Sequence, residues 1–305
     1  MLAKKLELLR GLIRSYGSCL VAYSGGVDSV FLATVARDVL SDKALAVIAD
    51  SPSLPRRELQ QALEIADKFQ IPVHVVRTKE FENPDYLANP INRCYFCKYE
   101  LFEELTPIAR SKGFAVIAYG ENASDVGDFR PGAQAAKEFL VRAPLKEIGL
   151  TKAEIRELSA ELGLPTADKP QMACLSSRIP YGEDVTPGKL GMIESAENLL
   201  RDLGFYDVRV RHHQLPASGG TFQMSEKASP ASVTPEASRI KPGKASLARI
   251  ELGVAEIPRL LQNDTFLKVA AVLKQIGYAH VTLDLQGYRR GNLNEQILLR
   301  LREPT

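Results

Sequence analysis

The sequence is poor in cysteine, in unbalanced charge and in long apolar runs, and each shortage excludes a class of protein. Four cysteines in 305 residues are too few for a disulfide scaffold, which favours a reducing compartment. A net charge of +2 provides no strong basic field for nucleic acid. No run approaches the roughly 20 apolar residues of a membrane span. The N-terminal "MLAKKLELLRGLIRSYG" is typical of an amphipathic helix and not of a signal peptide. We therefore expect a cytoplasmic protein with neither membrane nor nucleic-acid partners.

The first half of the chain has the pattern of a parallel sheet with helices between its strands. Residues 18–119 alternate the apolar runs "SCLVAYS", "ALAVIAD", "VHVVRT" and "FAVIAYG" with segments of helical period. Ligands of such doubly wound sheets bind beyond the carboxyl ends of the strands, here Ser24, Asp50, Thr78 and Gly120. We predict an α/β domain over residues 1–164 and an interdomain active-site loop over residues 165–186.

From residue 187 to 305 the pattern changes to that of a smaller α+β domain. Strand candidates in "DVRVRHH", "LARIELG" and "HVTLDLQGY" alternate residue by residue, as in a half-exposed sheet. A single helix is predicted across "IPRLLQNDTFLKVAAVLKQIGY". Pro, Gly and Ser fill 13 of the 33 positions 214–246, so this stretch is predicted to be a flexible insertion with no role of its own.

The segment "VAYSGGVDSV" at 21–30 is the strongest functional signal in the chain. An apolar strand runs into two glycines and then a helix, so backbone N–H groups at the helix start can point at an anion. It lacks the G-K-[ST] of a Walker loop and resembles the PP-loop of ATP pyrophosphatases. This resemblance implies ATP and Mg²⁺ as cofactors, with Asp28 near the metal. The predicted nucleotide contacts are Ser24, Gly25, Gly26, Asp28, Ser29, Asp50, Asp128 and Arg130.

The cysteines offer a second, separate site. Cys94 and Cys97 form a C-x-x-C at the start of a predicted helix, and Cys174 lies in the interdomain loop. Cys19 falls in a predicted strand and is expected to be a core residue. Three thiolates suit a 4Fe-4S cluster with one open iron better than closed zinc, which prefers four ligands. Structural zinc in a nucleotide-binding module, or inert thiols, remain alternatives.

Motifs along nearly the whole chain resemble those of the LarE family. They are "SGGVDS", "GDFRPG", "CLSSRIPYG", "VRVRHH", "ARIEL" and "VTLDLQGYRRGNLN". The resemblance implies an ATP-dependent sulfurtransferase of nickel-pincer nucleotide biosynthesis that forms homo-oligomers. It implies that the enzyme adenylates a carboxylate of pyridinium-3,5-biscarboxylic acid mononucleotide, releases pyrophosphate and inserts sulfur to give a thiocarboxylate.

The family has two branches that differ in the source of sulfur. In one, a cysteine five residues before the Arg of "SSR" gives up its own sulfur; here that position is Ala173, and Cys174 lies four before Arg178. The C-x-x-C with "CLSSR" resembles the other branch, which implies a 4Fe-4S cluster on Cys94, Cys97 and Cys174 that passes on added sulfide. Sacrificial donation from Cys174 remains an alternative.

The resemblance also implies roles for charged residues of the second domain. Arg178, Arg209 and Arg211 match the family's contacts to the substrate phosphate, which guanidinium groups bind bidentately. Glu197 and Glu251 match acidic positions proposed as metal ligands, although a lone Glu is more often a solvated charge. A PP-loop thiolase acting on transfer RNA, and an amide synthetase, are the rival enzymes. A transfer RNA thiolase is disfavoured because the sequence shows no basic, aromatic-interleaved surface for nucleic acid. An amide synthetase would leave the three cysteines unexplained.

Overall fold

The computed structural model of the chain describes residues 2–125, 130–170, 173–215 and 245–289. The described chain divides into two compact units. The first comprises Met1–Ser177 and Tyr181–Leu190, and the second comprises Arg178–Pro180 and Gly191–Thr305. The segment predicted as an interdomain loop, 165–186, is thus divided unequally. All of its described residues except Arg178–Pro180 belong to the first unit.

A fully parallel sheet with strand order β3-β2-β1-β4 forms the centre of the first unit. The strands are β1 (Cys19–Tyr23), β2 (Ala44–Asp50), β3 (Val73–Arg77) and β4 (Val116–Tyr119). Every residue of β1 is buried, because helices cover both faces of a sheet connected in this way. Alternate side chains of β1 enter separate cores on the two faces, Cys19 and Val21 on one and Leu20 and Ala22 on the other. The predicted doubly wound α/β fold is confirmed, as is Cys19 as a core residue.

Helices connect these strands and cover the sheet. They are α1 (Leu2–Ser15), α2 (Val27–Leu40), α3 (Arg56–Lys68), α4 (Pro84–Leu87), α5 (Arg93–Lys112), α6 (Gly132–Glu138), α7 (Pro144–Glu147) and α8 (Lys152–Glu161). The chain leaves each strand at the same edge of the sheet and enters the next helix there. Within the described ranges, no helix combines the length and apolar character that crossing a membrane requires.

The second unit has a smaller mixed sheet of order β5-β6-β7. Its elements are α9 (Pro187–Asp202, whose first turn belongs to the first unit), β5 (Val208–Gln214), β6 (Ser246–Leu252), α10 (Ile257–Leu260), α11 (Thr265–Ile276) and β7 (His280–Leu283). The strands β5 and β6 are antiparallel and β6 and β7 are parallel. Apolar residues of the sheet, α9 and α11 form one core. The predicted α+β architecture of this half is confirmed.

Two local predictions for the second unit are wrong. The alternation in "DVRVRHH" predicted a half-exposed strand, but residues 208–212 of β5 are all buried. Ion pairs, described below, allow arginines to occupy the inner positions. The helix predicted across 257–278 is broken after α10, because Asn263 and Asp264 adopt φ angles of 52° and 57° that cannot continue a helix. Residues 216–244 of the predicted insertion lie outside the described residues.

Candidate active site

The phosphate loop follows β1 and leads directly into α2. Gly25 has a φ of 69°, and a Cβ placed on it would lie 2.5 Å from the Cβ of Ala62 in α3. Both the backbone angle and this close approach require glycine at the position. Gly26 then adopts an extended conformation and caps α2, and its carbonyl accepts from the Val30 N–H at 2.9 Å.

Two serine hydroxyls stabilise this turn from within. The Ser29 hydroxyl accepts from the Ser24 N–H and donates to the Gly26 carbonyl, each at 3.1 Å. The Ser24 hydroxyl lies 3.1 Å from that of Ser29. The first N–H groups of a helix lack intrahelical acceptors, so a turn shaped in this way presents them to an anion.

Charged side chains surround the loop. Asp28 forms an ion pair with Lys152 at the start of α8, and it accepts from the Asn122 side chain at 3.3 Å. The Lys169 ammonium lies 3.3 Å from the Gly25 carbonyl and 2.6 Å from a Glu58 carboxylate oxygen. Asp28 is therefore held at the helix start by partners that follow it by more than ninety residues in the chain.

Of the other predicted nucleotide contacts, Asp50 lies at a neighbouring strand end. Asp50, the last residue of β2, pairs with Arg56 and borders an open depression of about 330 Å³. Ser51, Pro52, Arg77 and Thr78 complete its lining. Arg130 forms an ion pair of 2.5 Å with Asp125. Asp128 lies outside the described residues.

Cys94 and Cys97 lie in the first turns of α5, and the segment around Cys174 is bound to the residues that precede this helix. The N–H of Leu175 donates to the Ser53 carbonyl at 2.8 Å. Further along, the N–H of Gly182 donates to the Asn89 carbonyl at 3.0 Å. The described cysteines form no disulfide. Cys94 is exposed, and Cys97 and Cys174 are half-buried.

The three thiols lie near enough to influence one another's ionisation. Desolvation and then Cys174 raise the pKa of Cys94, against the lowering effect of Arg93 and Lys98. Desolvation, Glu80 and Cys174 raise the pKa of Cys97. Desolvation lowers the pKa of Lys98, whereas the two thiols favour its charged form.

As a donor set, three thiolates suit Cu(I), zinc or an iron–sulfur cluster. In the arrangement described, however, no three or more His, Cys, Asp or Glu side chains of the described residues are placed to hold a metal ion. The described residues therefore supply thiols of the type and number that an iron–sulfur cluster needs, but they do not place three of them around one metal position. Three thiols by themselves do not distinguish an iron–sulfur cluster from another thiolate-bound metal.

The arginines predicted to bind phosphate lie together in the second unit and are buried. Arg178 is fully buried, and its Nε and Nη2 donate to the two carboxylate oxygens of Glu197 at 2.8 and 3.1 Å. Glu197, also fully buried, accepts in addition from Arg201 at 3.0 Å and from the Val210 N–H at 3.0 Å. Burial opposes the charge of Glu197, but Arg178 keeps its pKa below the ordinary value.

A second buried carboxylate continues this arrangement. Glu251 accepts from Arg211 at 2.9 and 3.0 Å and from Arg249 at 3.1 Å. Arg209, 5% exposed, donates to the Val208 carbonyl and lies 4.8 Å from the ring centroid of Tyr288. Burial and then Arg178 lower its pKa, as expected where positive charges crowd together. We call this set the arginine cluster: Arg178, Arg201, Arg209, Arg211 and Arg249 with Glu197 and Glu251.

Sequence reasoning missed several residues that complete these sites. Lys152, Lys169 and Asn122 at the phosphate loop lie in no motif, because they come from distant segments. Arg93 and Lys98 flank the C-x-x-C and were available as a signal, since two basic residues beside paired cysteines favour the thiolates. For Glu197 and Glu251, the expected solvated face is wrong, since both are fully buried.

Comparison with known proteins agrees with the loop and the fold. Residues 2–84, which contain the phosphate loop, match the family model for NAD synthase. A parallel sheet, a serine- and glycine-lined turn and this match define the class: an ATP pyrophosphatase of the PP-loop type.

Relatives that match most of the chain identify the family within this class of enzyme. It is 42% identical to an uncharacterised protein of Synechocystis over 96% of this chain and 98% of that protein. It is 31% identical to the pyridinium-3,5-bisthiocarboxylic acid mononucleotide synthase of Lactiplantibacillus plantarum, over 97% and 96% respectively. An uncharacterised protein of Methanocaldococcus jannaschii is 28% identical over 64% and 74%. The chain belongs to the LarE family of these synthases and is an ATP-dependent sulfurtransferase, as its motifs predicted.

Proposed function

We propose that the protein converts a carboxylate of pyridinium-3,5-biscarboxylic acid mononucleotide into a thiocarboxylate, in the biosynthesis of the nickel-pincer nucleotide. The observation that carries this proposal is the 31% identity to a bisthiocarboxylic acid mononucleotide synthase over 97% of the chain. The phosphate loop, the three thiols and the arginine cluster each suit one part of the reaction.

In the first step, a carboxylate oxygen of the substrate attacks the α-phosphorus of ATP. The bond from that phosphorus to the bridging oxygen breaks, and pyrophosphate leaves. N–H groups at the start of α2 and the hydroxyls of Ser24 and Ser29 bind the departing phosphates. Asp28 would hold Mg²⁺, for which a carboxylate oxygen is a suitable ligand. Lys152, which pairs with Asp28, would then be available to the phosphates. Asp50, Arg130 and Asp128 contribute to the nucleotide site.

The arginine cluster binds the phosphate of the substrate. Its five guanidinium groups outnumber its two carboxylates even when Asp284, which pairs with Arg249, is added, so positive charge is in excess among these described residues. Arg209 and Arg211, two residues apart on β5, are the proposed direct contacts. Arg178 adds charge and is held by Glu197.

Sulfur comes from the cysteine site in the second step. Cys94, Cys97 and Cys174 would hold a 4Fe-4S cluster, which when bound supplies an open iron able to carry an added sulfide. Support comes from the number of thiols and from the hydrogen bond that Arg93, next to Cys94, donates to the Ser176 carbonyl, two residues after Cys174. AMP leaves when sulfur attacks the acyl carbon, and a thiocarboxylate results.

The alternative is sacrificial donation from Cys174. Its sulfur would attack the acyl carbon and displace AMP to form a thioester. Loss of the Cα proton and cleavage of the Cβ–S bond would then leave the thiocarboxylate and a dehydroalanine at position 174. Each chain would then form one thiocarboxylate, because it has one such cysteine. An enzyme with a cluster that is supplied with sulfide would form several.

Anaerobic reconstitution followed by intact-protein mass spectrometry separates the two sources. With the cluster, the protein binds about four irons per chain. Replacing Cys94, Cys97 or Cys174 by Ala removes most of the iron, whereas Cys19→Ala does not. With ATP and sulfide, more than one thiocarboxylate forms per chain. A dehydroalanine at position 174 after turnover would contradict the cluster. If the protein releases no pyrophosphate when given ATP and the mononucleotide, the proposed substrate is wrong.

A further inference from the structure

Arg93 lies at the start of α5 and connects the C-x-x-C to the segment that carries Cys174. It directly precedes Cys94 and is only 3% exposed. Its Nη1 donates to the Ser176 carbonyl at 3.1 Å and also to the Asn89 side chain. Its guanidinium carbon lies 5.8 Å from the ring centroid of Tyr181. One side chain thus contacts two places on the segment that follows Cys174.

A triangle of buried hydroxyl groups fixes the same segment from another side. The Ser176 hydroxyl lies 2.8 Å from those of Ser53 and Tyr86, which are 2.5 Å apart. All three residues are buried. In such a ring each hydroxyl can donate once and accept once, so every member is satisfied only when all three are present.

The charge of Arg93 suits the thiols that it brings together. A guanidinium stays charged in proteins and donates through several N–H groups, so it can bind a backbone carbonyl and an amide side chain at once. Lysine, with one compact ammonium, lacks this fork.

We propose that Arg93, with the hydroxyl triangle of Ser53, Tyr86 and Ser176, forms a clamp that positions Cys174 beside Cys94 and Cys97. The inference rests on the proposed role of these cysteines in sulfur transfer. Arg93 is a positioning residue under this proposal, since it acts through Cys174. The clamp is required for the sulfur step and dispensable for the release of pyrophosphate.

Proximity of the thiols can be measured without metal or turnover. Phenylarsine oxide forms two As–S bonds with two neighbouring thiols and releases water. In full-length apoprotein carrying Cys97→Ser, the remaining candidates for bridging are Cys94 and Cys174, because Cys19 is buried in the core. We expect this protein to bind one arsenical per chain, detected as a mass increase that a dithiol reverses.

Adding Arg93→Gln to this background should weaken arsenical binding by about tenfold or more, the usual consequence of losing a charge-assisted hydrogen bond. Arg93→Lys should give an intermediate loss. Tyr86→Phe breaks the hydroxyl triangle without removing charge and should weaken arsenical binding about threefold to tenfold. This variant tests the clamp even if the Arg93 variants fail to fold. Arg110→Gln, an exposed arginine on the same helix, is the matched control and should stay within about twofold.

The same clamp variants, made with Cys97 intact, should lose iron after reconstitution and lose sulfur transfer, while ATP-dependent pyrophosphate release stays within about twofold. Unchanged arsenical binding in both Arg93→Gln and Tyr86→Phe would overturn the clamp. So would equal losses of sulfur transfer and pyrophosphate release.

If the Cys97→Ser parent itself fails to bind the arsenical, Cys94 and Cys174 are not neighbours, and both the clamp and the proposed sulfur site are wrong. If arsenical binding depends on Arg93 while sulfur transfer survives Cys174→Ala, the clamp stands, and Cys174 is not part of the sulfur source.

Discussion

The ion pair between Asp28 and Lys152 at the phosphate loop remains in contact with solvent, whereas the pair between Arg178 and Glu197 in the arginine cluster is enclosed. Asp28 and Lys152 expose 19% and 29% of their side chains, but Arg178 and Glu197 expose none. Both regions are proposed to bind phosphate groups. The two ion pairs differ in whether their charged side chains can exchange one partner for another.

This difference follows from what water does to a charge pair. A partly exposed ion pair contributes about 0–1 kcal/mol, so Asp28 can leave Lys152 for a metal ion at little cost. A buried pair that loses one partner leaves an uncompensated charge, which costs about 3–5 kcal/mol. The Asp28–Lys152 pair can therefore exchange partners at little cost, whereas the Arg178–Glu197 pair fixes the local geometry of the arginine cluster.

The largest expected effect tests the enclosed region. Arg178→Ala should lower the free energy of unfolding by about 3–5 kcal/mol, because Glu197 keeps its charge and loses its bidentate partner. Urea denaturation measures this, with Lys152→Ala as the exposed counterpart at about 0–1 kcal/mol. Equal losses in the two variants would remove the contrast between the regions.

The next effect tests exchange at the phosphate loop. Asp28→Ala should reduce the rate of ATP-dependent pyrophosphate release by about 10²–10³, because charge developing on the phosphates loses its metal. Its free energy of unfolding should change by no more than about 1 kcal/mol. Pyrophosphate release at the parent rate would show that the loop is not the pyrophosphate site.

A smaller effect separates the ligands of the two regions. Arg211→Ala should weaken binding of the pyridinium mononucleotide by about tenfold to a hundredfold while leaving ATP affinity unchanged. Calorimetric titration with each ligand measures both values. Arg259→Ala, an exposed arginine of the same unit, is the control. Equal losses for both ligands in Arg211→Ala would point to general damage and not to a phosphate contact.

The smallest expected effect concerns the segment between β5 and β6. The N–H of Leu215 donates to the Ala245 carbonyl at 2.8 Å, so a short turn can replace residues 216–244. Mononucleotide affinity and activity should then stay within about twofold of the parent, because the arginine cluster lies on strands that this change leaves intact. A larger loss of affinity would assign this segment a part in the substrate site.

The sequence by itself determined the features that depend on neighbouring residues. Gly25, Gly26 and the serines of the phosphate loop are contiguous, and the apolar runs around them specify strands whose carboxyl ends share one edge. Cys19 could be assigned to the core because its own strand is apolar throughout. Such patterns are local, and the backbone geometry that they imply needs no knowledge of distant segments.

Only the tertiary structure decided how charges and thiols far apart in the chain are arranged. Alternation predicted an exposed face for Arg209 and Arg211, but burial of charge depends on partners, and Glu197 and Glu251 come from other elements. Likewise, the spacing of Cys94 and Cys97 says nothing of Cys174, whose segment is attached through Ser53, Tyr86 and Arg93. Side chains brought together by folding leave no periodic trace in the sequence, since their contact depends on packing between elements and not on their separation along the chain.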